Sequence, residues 1–132
     1  MDILLMLHSI VRWLIIAAAA LAIIKFTIGW AGNGTFGGMD RGLTSAYSGL
    51  LDLQVLLGVV YFVWNGIEVA GFPVYRILHM LVMLIAAGLG HLPARFKTLT
   101  DKLRFQYSVF AIIGSLILIV IGISILPHGW GQ

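Results

Sequence analysis

The stretch ILLMLHSIVRWLIIAAAALAIIKFTI, residues 3–28, decides the fold class because it is apolar over a length that crosses a bilayer. A transmembrane helix needs about 20 apolar residues to cross about 30 Å of hydrocarbon. The whole chain has the same character: of its 132 residues, 61% are hydrophobic and 10% are charged. Because a soluble domain of this length needs far more charge on its surface, the sequence predicts an integral membrane protein.

Three further apolar segments predict an all-α four-helix bundle, a single transmembrane domain over residues 1–132. The stretches that separate the segments are GWAGNGTFGGMDRG, NGIEVAGFP and LPARFKTLTDKLRF, which are rich in glycine, in turn residues or in basic residues. Because short connections make neighbouring helices antiparallel, we expect an up-down-up-down bundle. The expected spans are residues 3–28, 48–64, 74–92 and 107–126.

The basic residues predict the orientation of this bundle in the membrane. With four spans, the two termini and the second connection share one side, which holds two basic residues against six on the other side. Because cytoplasmic loops are enriched in Lys and Arg, the side with six should be cytoplasmic and both termini should lie outside.

Composition also excludes two classes of function. The net charge of +3 is scattered along the chain, which argues against a nucleic-acid partner. The absence of cysteine rules out metal sites built from thiolates.

Two histidines are expected at the same depth in this bundle. His8 lies a few residues into the first span and His79 a few residues into the third, and both spans run in the same direction. In a four-helix bundle the first and third helices are diagonal neighbours, so two imidazoles at one level could ligate a haem iron between them. Two other roles stay open: hydrogen bonding to neighbouring helices, and contact with a proton or a quinone headgroup.

Two arginines accompany these histidines. Arg12 lies one helical turn deeper than His8 on the same face, and its candidate partners are a haem propionate, a quinone carbonyl or a buried carboxylate. Arg12 could instead extend to water at the helix end. Arg76 lies one turn shallower than His79, where it is either a propionate partner or an ordinary interfacial cation.

A second polar site is expected towards the cytoplasmic side. Asp52 lies near the start of the second span and His91 at the end of the third, so the two could pair as a proton carrier or a hydrogen-bonded tie. Alternatively, Asp52 could cap a helix or extend to water, with His91 at the headgroups. His91 lies about 18 Å along the helix from His79 and on a different face, so the two cannot ligate one metal. His128, after Pro127, is expected to face solvent.

These motifs resemble those of a group of small bacterial four-helix membrane proteins labelled cytochrome b. The resemblance covers nearly the whole chain and rests on L-H-S-x-x-R-W, on D-x-Q-x-x-x-G from Asp52, and on the two histidines of the third span. It implies b-type haem and electron transfer, with His8, His79 and His91 as the shared histidines. Members of the group often have histidine where this chain has Asp52, so the resemblance supports one haem, at His8 and His79, and argues against a second.

We therefore expect a haem-binding subunit in a bacterial cytoplasmic membrane. It would pass electrons between a quinol pool and a periplasmic-side partner, such as a c-type cytochrome, within a larger respiratory or photosynthetic complex. A chain of this length has no extramembrane domain for a second substrate, which favours electron transfer over an independent enzyme. The alternatives are a cofactor-free accessory subunit that binds lipid or pigment, and a quinone- or proton-handling helper that uses Arg12, Asp52 and His91.

Overall fold

Four long helices make up the structure. The computed structural model describes residues 2–131, and side chains are described for residues 3–69 and 71–130. Each long helix is apolar enough to cross a membrane, and no strand occurs in residues 2–131. The predicted all-α fold with four candidate spans is therefore confirmed, as expected for a multi-pass membrane protein. The helices are α1 (Asp2–Ala31), α2 (Gly38–Asn65), α3 (Val74–Gly90) and α4 (Asp101–Ile125), with short helical turns at Gly66–Ala70, Leu92–Arg95 and Gly129–Gly131.

The second and fourth helices begin earlier than the sequence indicates. The sequence places the stretch GWAGNGTFGGMDRG between the first two spans, but within it only residues 32–37 leave the helix. The reason is electrostatic: the Asp40 carboxylate accepts the backbone N–H of Gly37 at 2.8 Å and pairs with the Lys25 ammonium of α1. A carboxylate in the first turn stabilises the helix N-terminus, so α2 forms despite its glycines.

The helices pack so that α1 and α3 are diagonal. Both α1 and α3 contact α2 and α4, whereas no close backbone approach joins α1 to α3 within residues 2–131. The contacts also set the chain direction. His8, near the start of α1, packs on Gly58 near the end of α2, and Lys25, near the end of α1, pairs with Asp40 near the start of α2. The α1 and α2 helices therefore run in opposite directions.

Three phenylalanines fill the core where α1 ends and α4 begins. Phe26, Phe36 and Phe105 are all buried, and their ring centroids lie 5.0–5.8 Å apart. The Arg104 guanidinium lies 4.0 Å from the centroid of the Phe36 ring. Such tilted aromatic pairs and cation–π contacts add to the stabilisation from burial alone. The cluster fixes this end of the bundle.

A hydrogen-bonded chain crosses the middle of the bundle between α2, α4 and α3. The buried Tyr47 hydroxyl donates to Ser115 Oγ at 2.9 Å, and the Ser115 hydroxyl donates to the backbone carbonyl of Ala86 at 2.8 Å. Gly90 lets α2 approach, because a Cβ there would lie 2.2 Å from Leu51 Cδ1 and 3.2 Å from the Tyr47 ring. Interhelical hydrogen bonds and small residues are the ordinary means of helix association in lipid.

Replacing Tyr47 with phenylalanine should destabilise the bundle by about 1 kcal/mol, because one buried interhelical hydrogen bond is lost while the ring remains. Denaturation in detergent, followed by circular dichroism, measures this change. Tyr107→Phe is the matched control, because Tyr107 is 41% exposed. Equal stability of the two variants would contradict a structural role for the Tyr47 hydroxyl.

Candidate functional site

A cavity of about 380 Å³ opens between the helices at the end of the bundle where α1 begins. All four helices line it, and residues 126–129, just after α4, complete its wall. Its volume lies within the range of about 300–1,000 Å³ that is usual for small-molecule and cofactor sites. Four of the six candidate site residues line this one cavity: His8, Arg12, Arg76 and His79.

His79 is fixed in this cavity by a backbone carbonyl. Its Nδ1 lies 2.7 Å from the carbonyl oxygen of Gly122 in α4. Because a carbonyl oxygen only accepts hydrogen bonds, Nδ1 must carry the proton and donate it. The lone pair of the neutral ring then lies on Nε2. A histidine held in this way has the tautomer and orientation typical of a metal ligand.

His8 lies against the backbone of α2. A Cβ on Gly58 would lie 3.3 Å from His8 Cε1, so glycine at this position leaves room for the imidazole. The Nδ1 atom of His8 is buried and has no hydrogen-bond partner among the described residues. A buried polar atom without a partner costs free energy, so this nitrogen is open to a ligand or a water molecule. Together with His79, this atom makes the cavity a candidate ligand site.

Gln54 and Gly58 contribute to the site, and the sequence interpretation gave them no role. The Gln54 side-chain amide donates to the backbone carbonyl of His8 at 2.8 Å, which ties α2 to α1 beside the imidazole. Both residues line the cavity. The sequence feature that could have identified Gln54 and Gly58 is their spacing of four residues within D-x-Q-x-x-x-G, which places both on one face of the helix.

Arg12 is buried inside the bundle. The residue is 9% exposed in the single chain, so little of it is open to water. Its Nη1 donates to the backbone carbonyl of Gly129 at 3.5 Å, and the guanidinium lies 5.2 Å from the Trp13 ring and 5.6 Å from the Trp130 ring. Arg12 therefore connects α1 to the segment that follows α4.

Arg76 also contacts backbone and aromatic groups. Its two terminal nitrogens donate to the carbonyls of Gly71 at 2.9 Å and Phe62 at 3.4 Å. The guanidinium lies 5.3 Å from the Phe62 ring and 5.9 Å from the Tyr61 ring. These contacts hold the connection between α2 and α3 against α3. The role of Arg76 as a propionate partner stays a prediction.

The charge of the cavity wall is one-sided. The residues that line it include Arg12, Arg76 and three histidines, whereas none of the described lining residues is Asp or Glu. His128 is the third of these histidines: it is exposed, as expected, but it also borders the cavity. The remainder of the wall is largely apolar, with Met80 and Met83 from α3. Such a wall suits a ligand with an apolar body and acidic substituents.

The second polar pair lies outside the cavity. His91 Nε2 and Asp52 Oδ1 are 2.7 Å apart, so the two side chains approach each other as the sequence predicts. Their side chains are 47% and 61% exposed, respectively, on the outer surface of the bundle. This pair therefore belongs to a different surface from His8 and His79.

Within residues 2–131, no group of three or more His, Asp or Glu side chains is arranged to hold a metal ion. The assignment of His8 and His79 as metal ligands therefore stays a prediction, and it requires a cofactor that supplies the remaining ligands itself. No family model, curated protein or solved structure matches the chain. The resemblance to cytochrome b-like proteins thus rests on the sequence motifs alone.

Proposed function

We propose that the protein binds one b-type haem in the membrane and transfers electrons as a subunit of a larger respiratory or photosynthetic complex. The observation that carries the proposal is that His8 and His79, on two diagonal helices, line one cavity. His8 and His79 would hold the haem, which would need only these two ligands from the protein because the macrocycle supplies the rest. The sequence motifs that resemble those of cytochrome b-like proteins support the same assignment.

The two imidazoles are suited to this role in different ways. The Nδ1–H of His79 donates to the Gly122 carbonyl, which leaves Nε2 for the metal and increases its basicity. The ring of His8 rests on Gly58, and its Nδ1 has no hydrogen-bond partner among the described residues. His79 would be held by its hydrogen bond to α4, and His8 by its close packing on α2.

The arginines provide the charge that this cofactor needs. Haem carries two propionates, and the described cavity wall has cationic but no anionic side chains. Arg12 and Arg76 would each stabilise a carboxylate while keeping their contacts to backbone carbonyls. A guanidinium has five N–H donors, so these roles are compatible.

The proposed activity is electron transfer. When bound, haem iron takes up and releases one electron between its ferric and ferrous states. With His8 and His79 as the protein's ligands, the haem would serve electron transfer rather than bind a substrate, which favours a redox relay over an independent enzyme. We propose the quinol pool of a bacterial inner membrane as one redox partner and a periplasmic-side protein, such as a c-type cytochrome, as the other.

Optical spectra of the purified protein in detergent test this function. We expect an α band to appear when dithionite is added, and the same band to appear when a short-chain quinol is the reductant. An α band with dithionite but not with quinol would contradict the proposed electron donor. A colourless protein would contradict the proposal as a whole, and it is the result expected of a cofactor-free accessory subunit.

A further inference from the structure

Gln54 binds His8 through one end of its side-chain amide and leaves the other end without a partner. The amide nitrogen donates to the backbone carbonyl of His8 at 2.8 Å. Because a carbonyl oxygen only accepts hydrogen bonds, this contact determines which end of the amide is nitrogen. The amide oxygen, Oε1, is buried and has no hydrogen-bond partner among the described residues. A buried acceptor of this kind costs free energy unless a donor reaches it.

The imidazole of His8 turns one edge towards the same helix. A Cβ on Gly58 would lie 3.3 Å from Cε1 and 3.8 Å from Nδ1 of His8, whereas Nε2 is more than 4 Å from that position. Gly58 follows Gln54 by four residues and lies on the same face of α2. The face of α2 that contacts the backbone of His8 therefore also contacts the Nδ1 edge of its ring. Nε2 is the nitrogen left for a ligand in the cavity.

We propose that Gln54 is the positioning residue for His8, and that its Oε1 accepts the hydrogen bond of His8 Nδ1–H, directly or through one water molecule. The bond would hold Nε2 towards the haem iron, so this inference rests on the proposed haem function. A neutral imidazole that binds a metal through Nε2 has its proton on Nδ1, which makes Nδ1 a donor that needs an acceptor. Of the buried side-chain oxygens without a partner among the described residues, Gln54 Oε1 lines the cavity and Ser108 Oγ does not.

The two assigned ligands would then be supported by acceptors of different kinds. His79 donates Nδ1–H to the backbone carbonyl of Gly122, whereas the acceptor for His8 would be a side chain that substitution can remove. A hydrogen bond from Nδ1–H increases the basicity of Nε2. The more basic ligand stabilises the higher positive charge, so it favours ferric over ferrous iron. Gln54 would therefore lower the midpoint potential of the haem, and removal of its acceptor should raise that potential.

Redox titration of the haem-loaded protein tests this role. Gln54→Leu removes the acceptor with little change in side-chain size, so the ferric form should lose about tenfold in affinity relative to the ferrous form. For a one-electron couple, a tenfold change corresponds to a rise of about 59 mV in midpoint potential. Gln54→Glu keeps an oxygen acceptor, so its potential should stay at or below that of the wild type. Gln106→Leu, on α4 and outside the cavity lining, is the matched control and should leave the potential unchanged.

Titration of the haem-free protein with haem gives a second readout, and circular dichroism verifies that each variant is folded. Gln54→Leu should bind haem about tenfold more weakly than the wild type, and Gln54→Glu should bind it more tightly than Gln54→Leu. If Gln54 served only to bond the His8 carbonyl, an ionised Gln54→Glu would lose that bond and resemble Gln54→Leu. Equal potentials in Gln54→Leu and the wild type, or a raised potential in Gln54→Glu, would overturn this inference and leave the haem proposal standing. A wild-type protein that takes up no haem would overturn both.

Discussion

Replacing His79 with alanine is expected to remove the haem from the protein. The variant loses the imidazole nitrogen assigned to the iron, and the Gly122 carbonyl loses its hydrogen-bond donor at the same time. Since the loss of a hydrogen-bond partner behind a metal ligand already lowers affinity about 10–100-fold, the loss of the ligand itself should do at least as much. We expect the same result for His8→Ala, because this variant removes the other imidazole assigned to the iron.

The measurement is the Soret absorbance of each variant, relative to protein concentration, after purification with haem present in excess. His91→Ala is the matched control, because this histidine also belongs to α3 as its C-cap but lies outside the cavity. It should keep the full Soret band. If both His8→Ala and His79→Ala keep full haem, the assigned ligands are wrong.

Replacing Gly29 with valine is expected to disrupt the other end of the bundle. A Cβ at this position would lie 2.6–2.8 Å from three atoms of the Phe105 ring. The ring has no room to move away, because Phe26 and Phe36 pack on it with centroids 5.8 and 5.0 Å distant, respectively. Overpacking of this kind costs about 3 kcal/mol when neighbouring side chains cannot shift.

Thermal unfolding in detergent, followed by circular dichroism, measures this cost. Gly88→Val is the matched control, because a Cβ there would meet nothing within 4 Å and the substitution has the same effect on helix propensity. Gly29→Val should unfold at a clearly lower temperature than the control. Equal unfolding temperatures would show that the aromatic cluster tolerates displacement and does not fix the end of the bundle.

The four helices were predictable because the length of an apolar segment can be measured directly along the sequence. The first span, expected at residues 3–28, is the helix Asp2–Ala31, and the third, expected at 74–92, is Val74–Gly90. The starts of α2 and α4 were not predictable in the same way. Helix α2 begins at Gly38 because Asp40 pairs with Lys25, which is 15 residues earlier in the chain and on another helix. Hydrophobicity along the chain carries no signal of such a contact.

The candidate site was predictable only in part, because span direction predicts the depth of a residue but not its contacts. Alternation of span direction predicts that His8 and His79 lie at one depth, and the two side chains do line one cavity. The pairing of Asp52 with His91 also follows from span direction. The contact of Arg12 with Gly129 and the packing of His8 on Gly58 depend on how the helices rotate and tilt. These rotations arise from packing across the whole bundle, which one sequence does not reveal.

The most direct test of the central claim is the haem content of the purified wild-type protein, measured as the pyridine haemochrome and divided by the protein concentration. The proposal that His8 and His79 ligate one haem in the shared cavity predicts one haem b for each chain. Two haems for each chain would contradict the assignment of a single site. A protein that stays free of haem when it is produced and purified with excess haem would contradict the proposed function.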